Sequence, residues 1–291
     1  MTQSPARSLP VSILQSLWRA VQRFSEHQGF ILSSHVAMSL MLALFPFILF
    51  VVALAGALSS GLETDELTDL LFGAWPPEIA DPLLREIGAV LAANNTSLMT
   101  LGGALALYFA SNGVEAVRVA INAAYRDEET RAFWHNRLVS LVFVVLGAAL
   151  IVLGLTLGLG LPAYVYFLAD KLPDAVPDSV ANWMGNLFLQ RAVPLALLVF
   201  AVSACHIWLP ARRRSFSRVW PGIVLTLVLW AVAVTGFSAY VASFANYSAT
   251  YAGLAGAMSA LIFLYLLAVI LILGAEFNGE LERHREEREG R

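Results

Sequence analysis

Seven polar residues stand out in a chain that is otherwise 58% hydrophobic and only 13% charged. Ser111, Glu115, Arg118 and Asn122 fall at i, i+4, i+7 and i+11, so they share one helical face, with Asn112 beside them. Glu276 and Asn278 close a long apolar run near the C-terminus. A carboxylate at the edge of an apolar zone needs a cation, a donor or water. Together the seven define a polar track, with Glu276 facing inward near the Glu115–Arg118–Asn122 stripe and Arg118 as its cationic partner. Each member also has a plainer reading. Glu276 can mark the helix end at the lipid headgroups. Glu115 and Arg118 can form a surface i, i+3 pair worth about 0.3 kcal/mol. Asn112 and Asn122 can join helices by hydrogen bonds worth about 0.6 kcal/mol each in a membrane, the reading preferred for Asn122.

Other chemistry is thinly represented. His27, His35, His135, His206 and His284 are scattered, with no ligand-spaced cluster. The lone Cys205 excludes an intrachain disulfide and a cysteine metal site. His35 and His206 read as hydrogen-bonded groups rather than proton carriers. No Walker motif, dinucleotide fingerprint, zincin motif or nucleophile elbow is visible. The sequence therefore supplies no catalytic, cofactor-binding or metal set. It reads as a protein that is not an enzyme and takes no cofactor.

The elements that must position the track are membrane helices. A soluble domain is nearer a quarter charged, whereas this chain has a mean hydropathy of +0.71. The expected fold is all-α: a polytopic membrane helix bundle with six transmembrane helices, an N-terminal interfacial amphipathic helix and a small helical outer cap. Residues 1–29 form the amphipathic segment, with Leu14, Leu17, Val21 and Phe24 on one face and the arginines opposite. Residues 30–280 form the transmembrane domain. Crossings fall at about 33–58, 98–119, 138–168, 191–209, 220–244 and 253–275. Within the domain, residues 59–97 make an acidic periplasmic cap. Residues 281–291 are a charged, frayed tail. Pro46, Pro162 and Pro194 should kink their helices, and Trp220-Pro221-Gly222 should begin the fifth. Small residues offer close-packing faces at Gly102, Ala106 and Ala110, at Gly154 and Gly158, and at Ala252, Gly256 and Ala260. Of 18 Lys and Arg, all but Arg85, Lys171 and Arg191 fall on one side of this layout. The positive-inside rule then puts both termini in the cytoplasm.

Three stretches resemble the YihY/virulence factor BrkB family of bacterial inner-membrane proteins, once mislabelled ribonuclease BN. They are His35–Leu58 with its SLMLALFP core, Ser111–Leu138 (SNGVEAVRVAINAAYRDEETRAFWHNRL) and Tyr240–Arg283 (YVASFANYSATYAGLAG through LGAEFNGELER). The resemblance implies a multi-pass location in the bacterial cytoplasmic (inner) membrane and a six-helix fold. It carries no settled activity, and the scattered histidines argue against a metal-dependent ribonuclease.

The residues point first to a transport-class protein handling a lipid or other amphiphile in envelope biogenesis. A lipid needs only a polar track for its headgroup while its tails stay in the bilayer. The alternative is a non-transporting membrane scaffold whose outer cap docks an envelope protein partner. Membrane lipids are the expected partners in either case, nucleic acid is not, and the oligomeric state stays open. The layout has a direct test. With Cys205 replaced, a cysteine placed within 63–86 should react with an impermeant thiol reagent in intact spheroplasts. One placed within 212–218 should react only after lysis, and the opposite labelling would sink the topology.

Overall fold

The computed structural model describes residues 9–58, 96–157, 165, 187–243 and 254–289. Seven long helices account for nearly all of them, and no strand occurs among the described residues. In chain order they are α1 (Leu9–Glu26), α2 (Gly29–Leu58), α3 (Thr96–Tyr125), α4 (Phe133–Leu155), α5 (Leu187–Trp208), α6 (Phe216–Ser243) and α7 (Leu254–Glu289). Four contain stretches long and apolar enough to cross a membrane: Gly103–Tyr125, Phe133–Leu155, Phe216–Tyr240 and Ala257–Glu287. Two shorter apolar stretches, Gly29–Leu44 and Ala192–Trp208, lie in α2 and α5. The all-helical membrane class is thus plain. The acidic cap at 59–95, Gly158, Pro162 and Ala252 lie outside the described residues, as does the packing around Gly102 and Gly256.

Several boundaries differ from the sequence expectation. α6 starts at Phe216, so Pro221 sits inside it rather than opening it. α7 does not fray after the apolar run but continues as one 36-residue helix to Glu289. Pro46 and Pro194 lie inside helices that continue past them.

Two ends are fixed by an unusual cap. α3 stops in a reverse turn in which Arg126 N–H bonds Ala123 O and Asp127 N–H bonds Asn122 O. This is the double-bonded helix stop that normally takes glycine at its left-handed position. Here that position is Arg126, with φ of 59°. Gln28 has φ of 58° just after α1. A non-glycine residue in this region costs roughly 1–2 kcal/mol, so at Arg126 the side chain must be needed.

The chain divides into two compact units, one of Met1–Met41, Glu115–Asn136 and Ser203–Arg291, the other of Leu42–Val114 and Arg137–Val202. In the second, Arg137 at the start of α4 is 8% exposed. It donates to Asn112 Oδ1 and to Tyr108 O, both at 2.8 Å, and stacks on the Tyr108 ring at 3.8 Å. Ala106 and Ala110 of the expected small-residue face are buried there. A Cβ on Gly154 would come within 2.9 Å of the Leu197 side chain on α5.

The first unit is organised by α6 against α7. Their backbones touch at Gly222 and Gly274: a Cβ on Gly222 would overlap the Gly274 carbonyl oxygen, and one on Gly274 would overlap Thr226 Oγ1. Trp230 Nε1 donates to Leu267 O at 3.0 Å further along the pair. On the outer side of α6, Trp220, Val224, Val228 and Val232 form an exposed stripe four residues apart. Such a stripe is expensive in water and natural in lipid. Gly222→Ala or Gly274→Ala should therefore lower stability by about 1–3 kcal/mol through overpacking. Gly236→Ala, on α6 with open space around it, should be neutral or slightly stabilising. Thermal unfolding in detergent measures both, and equal melting of all three variants would contradict the close approach.

Candidate functional site

The described part of the first unit concentrates its polar chemistry at one end, where α7 leaves the apolar run. Glu276 and Glu280 are one turn apart and only 1% and 2% exposed. Burying a carboxylate is costly unless it is paired or hydrogen-bonded. α1 and the turn after it supply the answer, running against α7 with Arg19, Arg23 and His27 at the same four-residue spacing. His27 Nδ1 lies 2.8 Å from Glu276 Oε1, Arg23 Nε 3.1 Å from Glu280 and Arg19 3.7 Å from it. Arg283 adds a 2.9 Å contact to Glu280. α1 is therefore amphipathic in a different sense from the expectation. Ser16, Ala20 and Phe24 are buried, and Arg23 is turned toward α7 rather than away, while Trp18 and Val21 are exposed.

The tautomer of His27 follows from its neighbours. Arg126 Nη2 lies 2.8 Å from His27 Nε2, and a guanidinium can only donate. Nε2 is thus the acceptor, Nδ1 carries the hydrogen, and His27 donates to Glu276. The left-handed Arg126 is the side chain that fixes this order. The other oxygen, Glu276 Oε2, is buried without a partner among the described residues.

The sequence-predicted site residues fall into separate groups. Arg118 does not reach Glu276. It forms close pairs with Glu115 and Glu129, and its Nε donates to Glu115 at 3.1 Å. The physical reason is local: Glu115 is one turn away, and the loop after α3 folds Glu129 back over Arg118. Asn122 bridges this knot to the α5–α6 loop, donating to Glu129 at 3.1 Å and accepting from Ala211 N–H at 2.8 Å. Arg131 grips Glu129 with Nε at 2.9 Å and Nη2 at 3.0 Å, and reaches Leu209 O at 3.1 Å. Burial alone would raise the Glu129 carboxyl, but the Arg131 bonds and the Arg118 charge override it and hold it at about 2. Ser111 bonds its own helix at Tyr108 O, and Asn112 is exposed and serves Arg137.

Asn278 is the best-satisfied member. Its Oδ1 accepts from Gly222 N–H at 2.7 Å, and its Nδ2 donates to Val219 O at 2.8 Å and Tyr125 Oη at 3.1 Å. Pro221 lacks an N–H, and the amide side chain docks beside that gap in the α6 ladder. Tyr125 Oη in turn shares a hydrogen bond with His206 Nδ1 at 3.0 Å. His35 is exposed.

Beside this buried cluster lies a cavity of about 590 Å³, which none of the seven expected track residues lines. Its wall holds Arg126, Arg212, Arg213, Arg214, Arg218 and Arg283 against Asp127, Glu282 and Glu286. Arg214 is its fixed point. It contacts Asp127 at 2.6 and 3.1 Å and Glu282 at 3.1 Å, and lies over the Tyr125 ring at 3.8 Å. Sequence reasoning reads this arginine run as a topology signal with an added attraction to anionic lipid, worth about 1 kcal/mol each near the surface, and does not single out His27. The signal for His27 is present as spacing: Arg19, Arg23 and His27 repeat every four residues, as do Glu276, Glu280 and His284. Among the described residues, no three His, Cys, Asp or Glu side chains converge as a metal site.

Fold and site together define an all-helical membrane protein with a charged, partly open end. The chain belongs to the Virulence factor BrkB family, which it matches over residues 20–291. It is 32% identical to the ribonuclease-like protein YfkH of Bacillus subtilis (strain 168), over 95% of this chain and 97% of that one. It is 24% identical to a UPF0761 membrane protein of Nitrosospira multiformis, over 90% of this chain but 60% of that longer one. A UPF0761 membrane protein of Alteromonas mediterranea is 21% identical over 90% of this chain and 85% of its own length. No solved structure matches the chain.

The pairing scheme predicts how substitutions combine. Glu276→Gln and Arg118→Gln should be additive in stability, because the two side chains belong to separate clusters. Glu276→Gln with His27→Asn should depart from additivity by about 0.5–3 kcal/mol, as hydrogen-bonded partners do. Denaturant or thermal unfolding of the four variants decides the matter, and the reverse pattern would restore the Arg118–Glu276 pair.

Proposed function

We propose that this protein is a transport-class protein of the bacterial inner membrane, with both termini cytoplasmic, that moves a lipid or other amphiphile during envelope biogenesis. The observation that carries the reading is the open cavity of about 590 Å³ at the charged end of the span-length helices. A cleft open to solvent and walled mainly by arginines gives a charged headgroup a polar place at the end of these helices. An amphiphile matches the division of the molecule: its headgroup enters the polar cleft, and its tails stay along apolar surfaces such as the exposed α6 stripe. The polar residues outside the cleft hold the helices that shape it. The ribonuclease-like name belongs to the Bacillus relative and is not carried over to this chain.

The test is lipid movement in reconstituted vesicles. Fluorescent phospholipid in the inner leaflet is protected from an impermeant reductant in protein-free vesicles. Vesicles holding the protein should lose that signal as well, at a rate rising with the protein-to-lipid ratio. Full protection of the inner leaflet by correctly inserted protein would overturn the transport reading and leave a membrane scaffold.

A further inference from the structure

The cleft carries more positive charge than its own acids neutralise, and we propose that it binds a phosphate-bearing anion gripped by Arg212 and Arg213. The inference rests on the reading of the cleft as a headgroup site and names the chemistry of that headgroup. Its wall holds six arginines and three carboxylates. Four of the arginines are committed: Arg214 to Asp127 and Glu282, Arg218 to Glu282, Arg283 to Glu280, and Arg126 to His27. Arg212 and Arg213 are exposed, and their side chains have no hydrogen-bond or ion-pair partner among the described residues.

The loop that carries them is nevertheless held on both sides. Ala211 N–H is pinned by Asn122 Oδ1 at 2.8 Å, and Arg214 is clamped by Asp127 and stacked on Tyr125. Arg214 Nη1 also donates to the Arg212 carbonyl at 3.2 Å. The backbone that carries the two free guanidinium groups is thus held in place, and a ligand has only the side chains left to order. A cluster needed only to set topology requires no such bracing, because the positive-inside rule counts charges and not their geometry. Each guanidinium presents a planar fork of donors suited to two oxygens of one anion. A tetrahedral phosphate group, with two or three non-bridging oxygens and one or two charges, can accept from both guanidinium groups at once, whereas chloride fits neither fork.

The same chemistry is available from a phospholipid headgroup or from soluble phosphate, and the experiment separates them. Full-length protein in a neutral maltoside detergent is titrated calorimetrically with inorganic phosphate, with phosphatidylglycerol, and with a diacylglycerol of the same chains that lacks phosphate. Ionic strength is fixed with chloride throughout. The expected result is saturable binding of a phosphate-bearing ligand and none of the diacylglycerol, weakened about tenfold or more by Arg212→Gln/Arg213→Gln. That variant alters exposed, unpaired side chains, so its melting temperature should match the wild type. Binding of phosphatidylglycerol alone supports the proposal with a lipid source. Binding of inorganic phosphate with no preference for the lipid supports it with a soluble source and counts against the amphiphile reading. No binding above chloride, or binding unchanged in the double variant, overturns the proposal. Lipid movement in vesicles would then still stand or fall by its own assay.

Discussion

Two carboxylates one turn apart on α7 impose the main constraint on the charged end of this protein. Glu276 and Glu280 are almost wholly buried, and a lone buried charge would cost several kcal/mol. Removing that cost requires cations and donors at matching spacing on another element. α1 and the turn after it provide them, with Arg19, Arg23 and His27 set four residues apart like the acids they face. α1 is thus tied to α7 through these side chains, leaving Trp18 and Val21 exposed. This explains why an amphipathic helix buries alanine and serine while exposing tryptophan: its apolar side is free to meet lipid.

A second constraint is the contact of α6 with α7. Gly222 and Gly274 let the backbones meet, and Asn278 fills the hydrogen bonding beside Pro221. These features depend on one another. An asparagine can reach a backbone N–H and C=O on a neighbouring helix only if the helices are close. They are close only because neither glycine carries a Cβ. Tyr125 and His206 extend the same chain of donors to α3 and α5. Near the charged ends of the helices, each buried polar group then has low freedom to move without breaking another.

The fold class was legible because hydropathy over twenty-residue windows is a strong, local signal. Four span-length stretches and two shorter apolar ones lie within α2 to α7. What failed was the assignment of partners. Glu115, Arg118 and Asn122 do share a face, but that face meets the loop at Glu129 rather than α7. A periodicity argument finds which residues point the same way and not what they point at. Asn278 is buried because α6 and Tyr125 cover it, and Glu276 and Glu280 because α1 and His27 do. That covering required a helix read as lying on the lipid to turn its arginines inward. The matched four-residue spacings of α1 and α7 held this information, and neither spacing is informative until the two are set side by side.

The distinction between used and unused hydrogen-bonding capacity then separates structure from function at this end of the molecule. Asn122, Asn278, Arg118 and Glu129 spend their donors and acceptors on one another and on the backbone, so they have little left for a ligand. Arg214 is similarly consumed, although it lines the cleft. Yet these satisfied groups hold the ends of the α5–α6 loop where they are, and the two arginines between them stay unpaired. A side chain left unpaired on a held backbone keeps all its donors for a ligand, and ordering that side chain is a cost the ligand must meet. The polar residues most visible in the sequence are therefore the frame. The arginines most easily attributed to topology are the groups with chemistry to offer.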